Sequence, residues 1–271
     1  MTNNQKEFMK TMSDTVAGSD HSNDLYGGEN MSTALVHYDP WDELKTISLN
    51  EKHLAKNHII SGNINAPAYA AFDVLRTRLL HTLKDRGWNR VAITSPTKGC
   101  GKTFVAVNLA LSLSRRVDSR TVLLDMNLRN PSLAKTLGIS QSGTMRNYLS
   151  GGQFEKDHLL KINGNLAVGL NSTPEEAAAE LLQSPRTKET LEIMQMELCP
   201  EIVLYDMPSV LHHDDLLSFL PQIDGVLLVI GGGLTKASEV RQVEKLLNGQ
   251  AQLLGTILNR DEGTIGDIFN F

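Results

Sequence analysis

The sequence predicts an α/β fold, a three-layer sandwich in which a mostly parallel sheet carries helices on both faces. Three observations point there. Short apolar runs rich in branched residues recur from residue 90 onward and stay hydrophobic throughout, as strands buried on both faces do. Segments with helical apolar spacing separate them, as parallel crossovers require. The first run leads straight into a glycine-containing turn and then a helix.

In chain order, residues 1–60 are rich in Asn, Ser, Asp, Glu, Lys and Gly and hold no sustained period. They are expected to form a largely disordered N-terminal tail, with residues 61–271 as the folded domain. Inside that tail His37–Asp42 gathers aromatics among acids, and is read as solvated chain in preference to a docking motif. Ala68–Leu83 places Phe72, Leu75, Leu79, Leu80 and Leu83 at helical spacing, a helix with one buried face. Strands are expected at Arg90–Thr94, Thr121–Asp125, Leu166–Leu170, Ile202–Tyr205, Val226–Ile230 and Leu254–Leu258. Helices are expected at Lys102–Arg115, Pro174–Met196, Asp214–Leu220 and Lys236–Leu247. In such sheets ligands sit at the carboxyl ends of the strands, which directs attention to the residues after Thr94, to Asp125 and to Asp206.

Composition narrows the function classes. The 271 residues are 41% hydrophobic and 21% charged, ordinary values for a soluble domain. A formal charge of −5 supplies no basic field for nucleic acid. Two cysteines, Cys100 and Cys199, make no disulfide framework and suit a reducing compartment. The polar N-terminus lacks a signal-peptide core, and the apolar stretches near Val105–Leu113 and Gly225–Ile230 are too short for direct membrane insertion. The expectation is a cytoplasmic protein whose membrane link runs through a partner.

Ser95-Pro96-Thr97-Lys98-Gly99-Cys100-Gly101-Lys102-Thr103 joins the first strand to its helix. Small residues let backbone amides turn around a β-phosphate, and the helix offers its positive end. Lys102 adds a cation for the β- and γ-phosphates, and the Thr103 hydroxyl is suited to Mg²⁺. The general pattern has glycine five positions before Gly101, where this chain has Pro96. The whole loop, Thr97 to Phe104, is therefore expected to bind ATP, and the domain to be a P-loop NTPase. Val122–Asp125 and Val203–Asp206 are strands that each end in a carboxylate at the same sheet edge. Thr103, Asp125 and Asp206 are the candidate Mg²⁺ ligands. His212-His213-Asp214-Asp215 is read as a helix start with capping acids in preference to a metal site.

These residues resemble the bacterial tyrosine kinases of polysaccharide export (BY-kinases), the cytoplasmic CpsD/CapB type. Ser95-Pro96 through Gly99-Cys100-Gly101-Lys102-Thr103 matches that family's S-P-x-x-G-x-G-K-[ST], which accounts for Pro96. Leu123 to Leu133 is similar to its second aspartate motif, and Glu180–Ser184, Asp206–Leu211 and Gly255–Asn259 follow in order. The resemblance implies that Lys102, Asp125, Asp206 and Arg129 carry transfer of the ATP γ-phosphoryl to protein tyrosine. It implies regulation of exopolysaccharide or capsule polymerisation and export. It also implies a membrane-embedded polysaccharide co-polymerase as partner, recruitment to the inner face of the cell membrane, and homo-oligomers. Departures are visible. Asn127 stands where the family has a second aspartate, and the family's oligomerising helix motif falls on Ala70, Asp73 and Arg76. No tyrosine lies in Asp261–Phe271, so Tyr26, Tyr38 or a partner is left as acceptor. An ATPase switch, or a non-catalytic nucleotide-binding regulator of the co-polymerase, is the alternative.

Overall fold

The computed structural model describes residues 38–60, 67–117, 119–140, 142–260 and 269–270. All of these but Tyr38 belong to the compact unit Asp39–Phe271. Tyr26, His37 and most of the C-terminal tail lie outside the described residues.

A 3₁₀ turn, Pro40–Glu43, precedes β1 (Lys45–Thr46), α1 (Glu51–Lys56) and α2 (Pro67–Lys84). Then come β2 (Arg90–Thr94), α3 (Lys102–Leu113), β3 (Thr121–Asp125), α4 (Leu133–Leu137), α5 (Met145–Leu149) and α6 (Glu155–His158). β4 (Leu159–Asn163), β5 (Leu166–Gly169), α7 (Ala178–Gln183), α8 (Pro185–Leu198) and β6 (Ile202–Asp206) follow. The chain continues through α9 (Asp215–Phe219), β7 (Gly225–Gly231), α10 (Ala237–Leu247), β8 (Leu253–Asn259) and β9 (Phe269–Asn270).

The strands form one sheet in the order β1-β4-β5-β3-β6-β2-β7-β8-β9. Six of its eight pairings are parallel; β4–β5 and β8–β9 are antiparallel. Side chains alternate faces along a strand, and here both faces are dry. Val122 and Leu124 of β3 join one buried cluster with helices α7 to α10, whereas Leu123 joins a second with α1 to α4. β6 and β7 divide the same way: Val203, Tyr205, Val226 and Leu228 face the first layer, Leu204, Leu227 and Val229 the second. This is the expected three-layer sandwich.

Two expectations need correction. The expected boundary at residue 60 falls too late, because residues 39–60 are built onto the domain. Trp41 is 2% exposed and its indole N–H donates to the Gly164 carbonyl at 2.8 Å. Asp39 accepts from the Trp41 amide at 3.0 Å and pairs with Arg120, whose guanidinium lies over the indole. β1 extends the sheet beside β4, and Leu54 and Ile59 enter the core. Ile60 N–H donates to Asn108 Oδ1 at 2.7 Å. A strand of two residues and a helix of six are too short to show a period, so composition suggested a tail. The helix expected over Pro174–Met196 is two helices. Pro185 lacks an N–H and bars Ser184 from helical backbone, so α7 stops and α8 restarts with Ser184 as its cap.

Candidate active site

Parallel register brings three strand ends together. β3 and β6 pair Asp125 with Asp206, and β2 and β6 pair Ile93 with Asp206. The loop after β2 therefore starts where the two carboxylates emerge. Its first half is tied to the segment following β6, with Val210 N–H on the Ser95 carbonyl at 2.9 Å and Leu211 N–H on Pro96 at 3.2 Å. Pro96 serves this contact as acceptor, a role that needs no N–H. Gly99 and Gly101 adopt φ of 86° and 88°, left-handed backbone that strains other residues. A Cβ on Gly101 would also collide with the Asn259 side-chain amide, which donates to the Cys100 carbonyl at 2.8 Å. Helix α3 then begins at Lys102.

The loop forms one wall of a cleft of about 450 Å³, lined by Lys98, Gly99, Gly101, Lys102, Thr103 and Phe104 on that side. Asn127, Arg129, Asn130 and Ser132, from the stretch after β3, form another wall. Thr103 Oγ1 donates to Asp206 Oδ2 at 2.6 Å and lies 2.9 Å from Ser132 Oγ. Asp125 Oδ2 accepts from the amides of Ser132 and Leu133 at 3.2 and 3.0 Å. Both carboxylates are fully buried, and the second oxygen of each, Asp125 Oδ1 and Asp206 Oδ1, has no hydrogen-bond partner. Burial pushes Asp206 up to about 6, against the opposing pull of the Thr103 hydroxyl and Lys102. Burial, reinforced by Asp206, pushes Asp125 well above the usual carboxylate range. Lys102 is shifted down by burial, with Asp206 acting in the opposite direction.

Two buried carboxylate oxygens without partners are costly unless a cation completes them. With a hydroxyl on the same carboxylate and an ammonium beside it, the donor set is hard oxygen, which suits Mg²⁺. The structure thus brings Lys102, Thr103, Asp125, Asp206 and Arg129 to one place. Within the loop, the Thr97 and Cys100 side chains do not line the cleft, and the backbone there is what faces a ligand. The Cys100 side chain is fully buried and turned to the Thr97 carbonyl at 3.3 Å and to Thr235 Oγ1 at 3.5 Å. Arg129 lines the cleft, but its guanidinium is paired with Asp215. Asp215 is no helix cap: it is buried, and α9 has no side-chain cap bond.

No family model matches the chain. Among curated relatives, EpsB of Ralstonia solanacearum is 28% identical over 196 residues, 71% of this chain and 26% of the relative. The chain thus spans about a quarter of the EpsB length. Tyrosine-protein kinase YwqD of Bacillus subtilis is 28% identical over 192 residues, 69% of this chain and 79% of YwqD. Among solved structures, the kinase domain of VpsO is 30% identical with a TM-score of 0.64, covering 72% of this chain and 96% of that domain. The chain belongs to the bacterial tyrosine kinase family.

Within this BY-kinase chain several cleft residues have no counterpart among the residues expected from sequence. Ser132 touches Thr103, Ser209 and His213 line the cleft, and Asn259 fixes the loop carbonyl. The signal for Ser132 was present in the Asn130-Pro131-Ser132 run, but a hydroxyl facing another hydroxyl needs the fold to be seen. Of the helix motif positions, Ala70 is exposed, whereas Asp73 and Arg76 are partly buried and engaged with the domain's own residues. Asp73 is held by Arg76 at 3.1 Å, by Ser112 at 2.8 Å and by Arg115.

Proposed function

We propose that the protein is a tyrosine kinase that transfers the γ-phosphoryl group of ATP to a protein tyrosine, with Mg²⁺ seated against Asp125 and Asp206. The observation that carries this reading is the pair of buried, unpartnered carboxylate oxygens beside Lys102 and Thr103. Mg²⁺ bound there would offset charge on the phosphates. The chain's own residues do the rest. The loop amides and Lys102 bind and orient the phosphates, and Thr103 is held by Asp206 to face the cation. Asp125, whose ionised form a bound cation would favour, would then help to activate the attacking hydroxyl.

The acceptor is then constrained by burial. Tyr148 and Tyr205 are fully buried, and Tyr69 lies under the Arg115 guanidinium at 4.0 Å. Tyr38 is 67% exposed, which leaves Tyr26, Tyr38 or a tyrosine of another molecule. No helix among the described residues is long and apolar enough to cross a membrane. Docking on a membrane-embedded polysaccharide co-polymerase at the inner face of the membrane is the arrangement that fits the family. A phosphate-releasing switch with no protein acceptor is favoured by the same scarcity of accessible tyrosines.

The test is incubation with γ-labelled ATP and Mg²⁺, wild type beside Lys102→Met, with phosphotyrosine mapped by mass spectrometry. Label on tyrosine in the wild type alone is the expected result. Free phosphate with unlabelled protein, in the presence of a tyrosine-rich acceptor peptide, would establish the switch instead.

A further inference from the structure

Three segments meet at the Arg129 guanidinium. Arg129 comes from the stretch after β3, Glu176 from the segment before α7, and Asp215 from the first turn of α9. Nε donates to the two Asp215 oxygens at 3.1 and 3.0 Å, and Nη2 donates to Oδ1 at 3.0 Å. Nη1 donates to the Glu176 carbonyl at 2.5 Å. Asp215 is fully buried, whereas the Arg129 side chain keeps 28% of its surface and lines the cleft with Lys102 and Thr103. A guanidinium has five N–H donors in a rigid fork. Three are committed to fixing its plane, and two remain for an anion in the cleft. Leaving Asp215 without its partner would strand a buried charge, so the pair holds the guanidinium in place instead of releasing it to solvent.

We propose that Asp215 is a positioning residue that fixes Arg129 to receive the terminal phosphoryl group of the bound nucleotide. Lys102 and the loop amides hold the β-phosphate, with Lys102 reaching on to the γ-phosphate, whereas Arg129 comes from a different wall of the cleft. A contact made by Arg129 to the γ-phosphate alone separates triphosphate from diphosphate. This assignment rests on the nucleotide-binding half of the kinase reading and is independent of which acceptor is used. Removing the Asp215 charge frees the fork to rotate, and a lysine at 129 keeps the charge but loses the fork.

Displacement of a fluorescent nucleotide by ATP or by ADP, each with Mg²⁺, tests this on the full chain. In Asp215→Asn the ATP-to-ADP affinity ratio is expected to fall about tenfold, the worth of one charge-assisted hydrogen bond. ADP affinity should stay within about twofold of wild type, since the inner phosphates keep their partners. Arg129→Lys should lose the same ratio, and the double variant should lose no more, because both act through one contact. Should Asp215→Asn fail to fold by circular dichroism, Asp215→Glu, which keeps the charge but displaces the carboxylate from Arg129, carries the test through the same ratio. ATP and ADP weakening in parallel, an unchanged ratio, or losses that multiply in the double variant would each overturn the assignment. Phosphotyrosine is scored separately. If the wild type forms none, the transfer reading fails while the affinity ratio still judges Asp215.

Discussion

The strap of residues 39–60 and the phosphate cleft handle buried polar groups in opposite ways. In the strap they are paired: the Trp41 indole with Gly164, Asp39 with Arg120, and the Ile60 amide with Asn108. Behind Thr103 and Ser132 of the cleft wall two fully buried carboxylates meet in register, and one oxygen of each is left without a partner. Satisfied polar contacts fix a segment in place; unsatisfied ones lower stability and remain available for a ligand. The contrast separates residues that build the domain from residues that act in it.

Breaking the strap should give the largest effect on stability. Trp41→Ala removes a fully packed ring and its hydrogen bond, and is expected to cost about 3–5 kcal/mol in denaturant unfolding. Nucleotide affinity of the folded fraction should be unchanged. A loss below about 1 kcal/mol would mean that the strap is not part of the core.

Breaking the cleft should act mainly on transfer. Lys102→Met is expected to reduce phosphoryl transfer about 10²- to 10³-fold, the usual effect of removing one preorganised donor. Its thermal midpoint is expected to fall, because Lys102 is only 8% exposed and its loss leaves the buried Asp206 without the cation that opposes its burial. Retained transfer in the folded variant would reverse the assignment.

A smaller effect separates the regions by pH. Asp206 titrates near 6 in the folded chain, above its ordinary 3.8. A raised carboxyl contributes stability that is fully present below its unfolded value and is lost as pH rises through the folded one. Metal-free protein should therefore lose this contribution between about pH 4 and 6. His158, pushed down to about 4 by burial, acts in the opposite sense over the same interval. The readout is thus the difference between wild type and Asp206→Asn, which should decline across that window; a flat difference would show that the carboxylate is not destabilised. The smallest effect serves as a control. Arg186→Ala removes a bond to Glu189 between side chains about half exposed (51% and 56%), and should change stability by no more than about 0.5 kcal/mol.

The sequence made the centre of this molecule legible and its edges much less so. β2, β3, β6, β7 and β8 are continuous apolar runs, and α2, α3 and α10 carry enough turns for a period to show. Lys102, Thr103, Asp125 and Asp206 were visible because each sits at a fixed offset from a strand end. The strap was hidden because β1 and α1 are too short to be periodic, and its anchors lie on Gly164, Arg120 and Asn108 far along the chain. The Arg129–Asp215 pair joins residues 86 positions apart, and no local pattern announces it. Cys100 and Thr97 were expected to belong to the phosphate loop through their backbone amides, and the sequence said nothing of where their side chains turn. The positive φ of Gly99 and Gly101 re-aims that turn, so the Cys100 side chain packs inward and the Thr97 carbonyl accepts from it.

The most direct measurement is calorimetric titration of ATP with and without Mg²⁺ into wild type, Asp125→Asn and Asp206→Asn. If the two carboxylates seat the cation, Mg²⁺ should tighten wild-type binding at least about tenfold, and either variant should lose that gain while keeping its metal-free affinity. Wild-type binding indifferent to Mg²⁺, or a full gain retained in both variants, would contradict the assignment of this cleft.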